Sequence, residues 1–311
     1  MQRIGPSRTV VARPRAATRP FPVEVATEPT RWVHPRFRRL APPVIVIGMH
    51  RSGTSLVAGM LGALGVYVGP EFGPAGGEDL TAQARVGRLS GYAEAAAFFR
   101  VNEQLLRAGR ASWSHVEPFL RRRGQCAWMQ SAELALRAHT CGTLLRDFLR
   151  SLPEGYEGNW GWKDPRNSLT LPLWRQLFPE ARVVHVVRNR EAVVRSLHHR
   201  ARQWQQGGTP RGARPRHHPA AALKEAARKV GLLAPLQSDP CLDLDYCRKL
   251  CQIYEAECAV AREESQAYLQ LHYEEILADP EDAAYRLAQF TGCSLEGKNI
   301  RRAGTLVLRE R

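Results

Sequence analysis

Four β-branched residues in a row, Val44-Ile45-Val46-Ile47, run into Gly48 and Gly53, and apolar positions then recur at Leu56, Val57, Met60, Leu61 and Leu64. The unbroken run predicts a buried parallel strand and the later spacing predicts a helix. Val183-Val184-His185-Val186-Val187 predicts a second buried strand, with a helix from about Glu191. Trp160 to Arg166 reads as a short strand entering a turn, and residues 268–273 alternate as a late strand. Gly65–Gly69 is expected to be extended, and the prolines and glycines of 70–78 predict a loop. Helices are expected over Tyr92–Leu106, with Phe98, Phe99, Val101, Leu105 and Leu106 inward, and over about 131–152 through Leu134 and Phe148. Further helices are expected at Pro172–Leu177, 220–233 and 243–264, with a last one capped by Asp279 and ending near Gly292. Strands alternating with helices in this way predict an α/β fold, a doubly wound parallel sheet flanked by helices.

The first strand, its loop and its helix carry the most specific chemistry. Backbone N–H groups in such a loop and in the first helical turn converge on an anion. Gly48 to Gly53 fits the P-loop spacing G-x-x-x-x-G, but Thr54 stands where the nucleotide-binding Lys belongs. The positive charge sits at Arg51 instead, followed by Ser52, Gly53, Thr54 and Ser55. A guanidinium fork suits the paired oxygens of a leaving phosphate. Glycine turns between strands and helices are common, so the anion reading rests on the ordered combination. A second anion site is suggested by Arg188 at the end of a buried strand, Ser196 on the following helix, and Arg200 one turn further on. From these residues alone, a surface Arg beside a helix-facing Ser explains the pattern at least as well.

Composition narrows the partners. The formal charge of +15 is concentrated, since residues 1–41 carry nine Arg against Glu24 and Glu28 and residues 200–229 carry eight basic residues against Glu225. The rest of the chain is nearly neutral, which argues against a specific nucleic-acid surface. Pro6, Pro14, Pro20 and Pro22 oppose an amphipathic targeting helix, so 1–41 is expected to be a disordered basic leader. The catalytic domain is expected to span 42–311, with a mobile low-complexity loop at about 203–219. Seven cysteines show no C-x-x-C pair, and Cys247, Cys251 and Cys258 share one helical face as buried small hydrophobes. An odd cysteine count in a chain of this size fits a reducing, cytoplasmic setting, and no apolar run reaches membrane-spanning length.

The loop His50-Arg51-Ser52-Gly53-Thr54-Ser55, the turn Lys163-Asp164-Pro165, and Arg188 with Ser196 together resemble sulfotransferases that use 3′-phosphoadenosine 5′-phosphosulfate (PAPS). The likeness is to bacterial members resembling the tyrosylprotein branch, and it runs from about residue 43 to 293. It implies that Arg51, Ser52, Gly53, Thr54 and Ser55 hold the 5′-phosphosulfate, that Arg188 and Ser196 hold the 3′-phosphate, and that Arg200 is an additional nucleotide-binding arginine. Tyr273, in the stretch His272 to Pro280, is implied as a nucleotide contact. Lys163 would contact the bridging oxygen during in-line transfer to the hydroxyl of a saccharide, a small molecule or tyrosine, with no metal required. No catalytic His follows Lys163 as in cytosolic members, so a carboxylate base is implied. Glu71, twenty positions after Arg51, is the first candidate, with Glu94 and Asp164 behind it. The competing readings are a P-loop nucleotide-dependent kinase and a basic nucleic-acid-binding protein.

Overall fold

Val44–Ile47 forms the inner strand β1, with every side chain buried. Gly161–Lys163 (β2) pairs with it on one side and Arg182–Val187 (β3) on the other, and Ala267–His272 (β4) lies beyond β3. All pairings are parallel, in the order β2-β1-β3-β4. The register sets Val46 beside both Lys163 and Val184, and Val187 beside His272. The carboxyl ends of the four strands therefore deliver Gly48, Lys163, Arg188 and Tyr273 to one edge, the place where open α/β sheets bind ligands. The computed structural model describes residues 37, 39–69, 95–139, 142, 146, 148–206 and 239–307.

Period-two alternation divides β1 between two cores. Ile45 and Ile47 point to one face, where an aromatic cluster includes Phe98, Trp160, Trp162, Trp174 and Phe178. Phe98 and Trp162 stack there with ring centroids 4.0 Å apart. Helices Ala96–Ala108 (α2), Asn167–Leu177 (α5), Arg190–Gln205 (α6) and Leu244–Glu264 (α7) cover this face. Val44 and Val46 point to the other face, under Thr54–Ala63 (α1), Pro280–Thr291 (α9) and Gly297–Thr305 (α10). Helices on both faces of a parallel sheet make the fold doubly wound, as the strand–helix alternation predicts. Cys247, Cys251 and Cys258 are all buried along one side of α7. Among the described residues, no helix is long and apolar enough to cross a membrane.

Several element boundaries differ from expectation. Two short helices, Glu117–Arg123 (α3) and Tyr273–Ala278 (α8), and the terminal α10 have too few turns to show a periodic pattern. The helix expected from about residue 131 begins earlier, as Cys126–His139 (α4), and Leu134 is 70% exposed. Ala132 and Leu136 take the inward side there, one turn apart, which turns Leu134 to the outside. Helix α5 starts five residues ahead of Pro172 and runs through it. Proline at an interior position gives up one backbone bond, but a first turn anchored on the Asp164 and Pro165 carbonyls holds the helix start. Helix α6 includes residues 203–205, which therefore belong to a helix and not to the mobile loop expected from 203. Most of the basic leader, the 70–78 loop, most of the 203–219 loop and the 220–233 helix lie outside the described residues.

Candidate functional site

Helix α1 is capped by Gly53 at φ 98°, and no side chain caps its first turn. Its leading N–H groups are thus left for a ligand at the sheet edge. The preceding residue but one, Arg51, holds φ 72°, which is rare for a side-chain-bearing residue and costs on the order of 1–3 kcal/mol. That conformation is held in place by tertiary contacts. Arg51 Nε donates to Ser196 Oγ at 3.0 Å, and the Arg51 carbonyl accepts from Arg188 Nη1 at 3.0 Å. The Arg188 guanidinium in turn lies 4.3 Å over the Tyr273 ring. The two candidate phosphate sites, 137 residues apart in sequence, form one cluster.

Two buried polar atoms in this cluster, Ser52 Oγ and Arg188 Nε, have no hydrogen-bond partner among the described residues. Buried polar groups are ordinarily satisfied, so each asks for an acceptor that a bound oxyanion supplies. Ser52 and Arg188 also border a partly open cavity between β3, α6 and α7, walled by Met49, Val187, Val193 and Tyr254.

Lys163 closes β2 with only 2% of its surface exposed. Asp164 beside it is fully buried, and both its oxygens are taken. Oδ1 accepts from the Arg166 backbone N–H and from Arg166 Nη1, each at 3.0 Å, and Oδ2 accepts from Asn102 Nδ2 at 2.9 Å. Arg166 also pairs with Glu103 at 2.8 Å. Burial opposes its charge, but the Asp164 and Glu103 carboxylates raise its pKa above the ordinary arginine value. With both oxygens committed, Asp164 is poorly placed to accept a substrate proton, unlike the third-ranked role expected of it. Arg200 reaches the cluster's flank, with its guanidinium 4.5 Å over Trp113 and 5.1 Å over Trp204.

A family model described as the Sulfotransferase family matches residues 42–297. The chain belongs to this family. No curated protein matches the sequence. Among solved structures, the sulfotransferase domain of the Synechococcus PCC 7002 olefin synthase is 15% identical at TM-score 0.44, over 84% of this chain and 76% of that one. A sulfotransferase of Mycobacterium tuberculosis H37Rv is 19% identical at TM-score 0.44, over 86% of this chain and 71% of that one. Retinol dehydratase in complex with androsterone and the inactive cofactor PAP is 16% identical at TM-score 0.36, over 86% and 64%. The assignment rests on the family match and not on these likenesses.

In this sulfotransferase, Arg51, Ser52, Gly53, Arg188, Ser196 and Tyr273 come together, and Thr54 and Ser55 open α1 beside them. Glu71 and Glu94 lie outside the described residues. The sequence pattern gives His50 no role of its own. It packs 4.5 Å from Trp113, and its buried Nε2 has no hydrogen-bond partner among the described residues. Burial, and then the charges of Arg166, Arg200, Lys163 and Arg51, hold its pKa well below the usual histidine range. Its position inside the loop was the one available signal. Among the described residues, no group of three or more His, Cys, Asp or Glu is placed to hold a metal.

Proposed function

We propose that this sulfotransferase moves a sulfuryl group from PAPS to the hydroxyl of an acceptor, a saccharide, a small molecule or tyrosine. The observation that carries the reading is the Arg51 Nε to Ser196 Oγ bond at 3.0 Å, which joins the glycine loop to the strand-end Arg–Ser pair. A donor with one phosphate at each end of its ribose needs two anion sites held at a fixed separation, and this contact fixes them. PAPS supplies the activated sulfuryl group. Arg51 and the N–H groups at the start of α1 stabilise charge on the leaving phosphate. Arg188 and Ser196 hold the 3′-phosphate, and Tyr273 keeps the Arg188 guanidinium in place by stacking. In an in-line transfer, the acceptor oxygen bonds to sulfur as the bond from sulfur to the phosphate oxygen breaks. Lys163 meets charge on that oxygen, and Glu71 or Glu94 takes the acceptor proton. The catalytic unit is residues 42–311, preceded by the basic leader, whose end is not the disordered segment expected of 1–41: Phe37 packs on Phe148, Trp160 and Phe178, and Leu40 is buried in the same core. A cytoplasmic setting belongs to the same reading, supported by six cysteines among the described residues that are free thiols.

Calorimetric titration with adenosine 3′,5′-bisphosphate (PAP), the desulfated donor, tests the reading. Binding is expected without magnesium. Arg188→Ala is expected to weaken it by about 1.5–3 kcal/mol, the range for a hydrogen bond to a charged group. Failure to bind PAP, together with magnesium-dependent binding of ATP, would replace this reading with a kinase.

A further inference from the structure

Asn102 lies on α2, is fully buried, and is remote in sequence from the glycine loop, the Lys163 turn and Arg188. Its Nδ2 donates to Asp164 Oδ2 and to Asn167 Oδ1, both at 2.9 Å. Its Oδ1 accepts from Thr170 Oγ1 at 2.8 Å and from Trp174 Nε1 at 2.9 Å. A side-chain amide offers two donor hydrogens and two acceptor lone pairs, so all of its capacity is used.

Its partners lead to both halves of the site. Asp164 follows Lys163 directly and holds the turn through Arg166. Asn167 Nδ2 donates to the Val46 carbonyl at 3.1 Å, two residues ahead of Gly48. The next residue, Ser168, grips Gly48 itself, its Oγ accepting from the Gly48 N–H at 3.0 Å and donating to the Gly48 carbonyl at 3.3 Å. The Lys163 turn and the first residue of the phosphate loop are therefore bound into one buried polar array, with Asn102 at its branching point.

We infer that Asn102 is a positioning residue that fixes Lys163 against the phosphate loop and so sets turnover rather than nucleotide affinity. The inference rests on the sulfuryl-transfer reading. An array needed only to bury the Asp164 charge would require one donor aimed at Asp164. Asn102 instead has four partners, spread over the turn and along α5 as far as Trp174, and directional bonds fix relative position more tightly than apolar packing does. Misplacing a reacting group by about 1 Å costs on the order of 10²-fold in rate.

The test compares Asn102→Ala with Leu250→Ala, a fully apolar lesion elsewhere in the same core. Melting temperature, PAP affinity and the rate of PAP release from PAPS with phenol and sugar acceptors are measured for each. Assays are run at a fixed interval below each variant's own melting temperature. Asn102→Ala is expected to lose about 10²-fold in kcat, with KM for PAPS and PAP affinity within a few fold, while Leu250→Ala keeps near-normal kcat. Asn102→Asp puts two carboxylates together and should lose activity. The exchanged pair Asn102→Asp/Asp164→Asn restores a directed bond of opposite sense and should recover kcat by about tenfold over that single change. Should Asn102→Ala not fold, Thr170→Val removes one donor to Asn102 Oδ1 with little change of shape and should lower kcat without changing PAP affinity. A kcat for Asn102→Ala and Thr170→Val no lower than that of Leu250→Ala overturns the inference. If the wild-type protein itself neither binds PAP nor releases it from PAPS, the sulfuryl-transfer reading fails instead.

Discussion

Substituting Gly53 by Ala separates the backbone requirement of the phosphate loop from its tertiary one. At φ 98° an L-residue is strained, and left-handed backbone costs about 1–2 kcal/mol. A Cβ on Gly53 would also fall 2.4 Å from Tyr273 Cδ2 and 2.9 Å from Cε2, whereas carbon pairs rest at about 3.5–4.0 Å. The ring must move by about 1 Å, and it carries the Arg188 guanidinium 4.3 Å above it. Losing that stack removes a further 0.5–2 kcal/mol or so. Gly53→Ala should therefore lose about 1.5–4 kcal/mol in all. Gly65 supplies the control, because it holds φ 101° and a Cβ placed there would meet no atom of the described residues within 4 Å. Gly65→Ala should show only the backbone share of about 1–2 kcal/mol. Denaturant unfolding of both variants measures the difference, and PAP titration shows where it acts. Gly53→Ala is expected to bind PAP about tenfold more weakly, since 1.4 kcal/mol is a factor of ten, whereas Gly65→Ala binds as wild type. A Tyr273→Ala change made in the Gly53→Ala background should lose less than it does alone, because the stack it removes is already disturbed. Equal losses in the two glycine variants, with normal PAP binding in both, would refute the account of Gly53 as the seat of Tyr273 and Arg188.

Further outcomes follow from the same geometry. Lys163→Met keeps the buried stem and removes the charge, so turnover should fall by about 10²–10³-fold with PAP affinity within a few fold; a parallel loss of melting temperature would show that Lys163 only holds the turn. Glu71→Gln should remove most turnover under saturating PAPS while Glu94→Gln keeps it, and the reverse pattern would transfer the base to Glu94. His185 is lowered to about 4 by burial, then by His272 and Arg262, and its ring accepts from or donates to Tyr268 at 2.7 Å. The unfolded chain therefore binds that proton first, so stability is full above about pH 6.5 and declines by about 3 kcal/mol as pH falls towards 4. His185→Asn should flatten this slope, and superimposable stability–pH curves for the two proteins would exclude His185 as its source.

The frame of the fold was legible because its strands are continuous apolar runs. Val44–Ile47 is buried throughout, Val183, Val184 and Val186 are buried in β3, and the loop between β1 and α1 follows from Gly48 and Gly53. What was not legible depends on partners that sequence spacing does not reveal. Asn102 reads as one polar residue on an amphipathic helix, and only the approach of Asp164, Asn167, Thr170 and Trp174 makes it a junction. Asp164 reads as a spare carboxylate in the sequence, whereas in the fold its oxygens are taken by Arg166 and Asn102. Pro172 suggested a helix start, as proline often does, yet the Asp164-Pro165-Arg166 turn begins α5 earlier. The 70–94 stretch holding both proposed bases offers glycine and proline and little periodicity, so its geometry was never in the pattern.

Two arginines placed just after parallel strands show how partner type, and not residue type, divides structure from chemistry here. Arg166 follows β2 and meets two carboxylates, Asp164 and Glu103, so its charge is neutralised within the protein. Arg188 follows β3, and among the described residues neither it nor Arg51 has a carboxylate within ion-pair distance; they meet a carbonyl, a hydroxyl and an aromatic face instead. Neutral oxygens orient a guanidinium without cancelling its charge. The result is a concentration of positive potential at the carboxyl edge of the sheet, which the protein tolerates by keeping His50 neutral beside it. The uncapped start of α1 adds partial positive charge at the same point. Such an arrangement is unfavourable until an anion arrives, and the strained Arg51 backbone is a second stored cost at the same residue. A ligand that satisfies Ser52 Oγ and Arg188 Nε while neutralising Arg51 and Arg188 relieves the charge and the unpaired polar atoms together and offsets the backbone strain, so its binding stabilises the fold by mass action. A site with its arginines already paired to carboxylates, as Arg166 is, would have no such reserve to direct at a doubly phosphorylated donor.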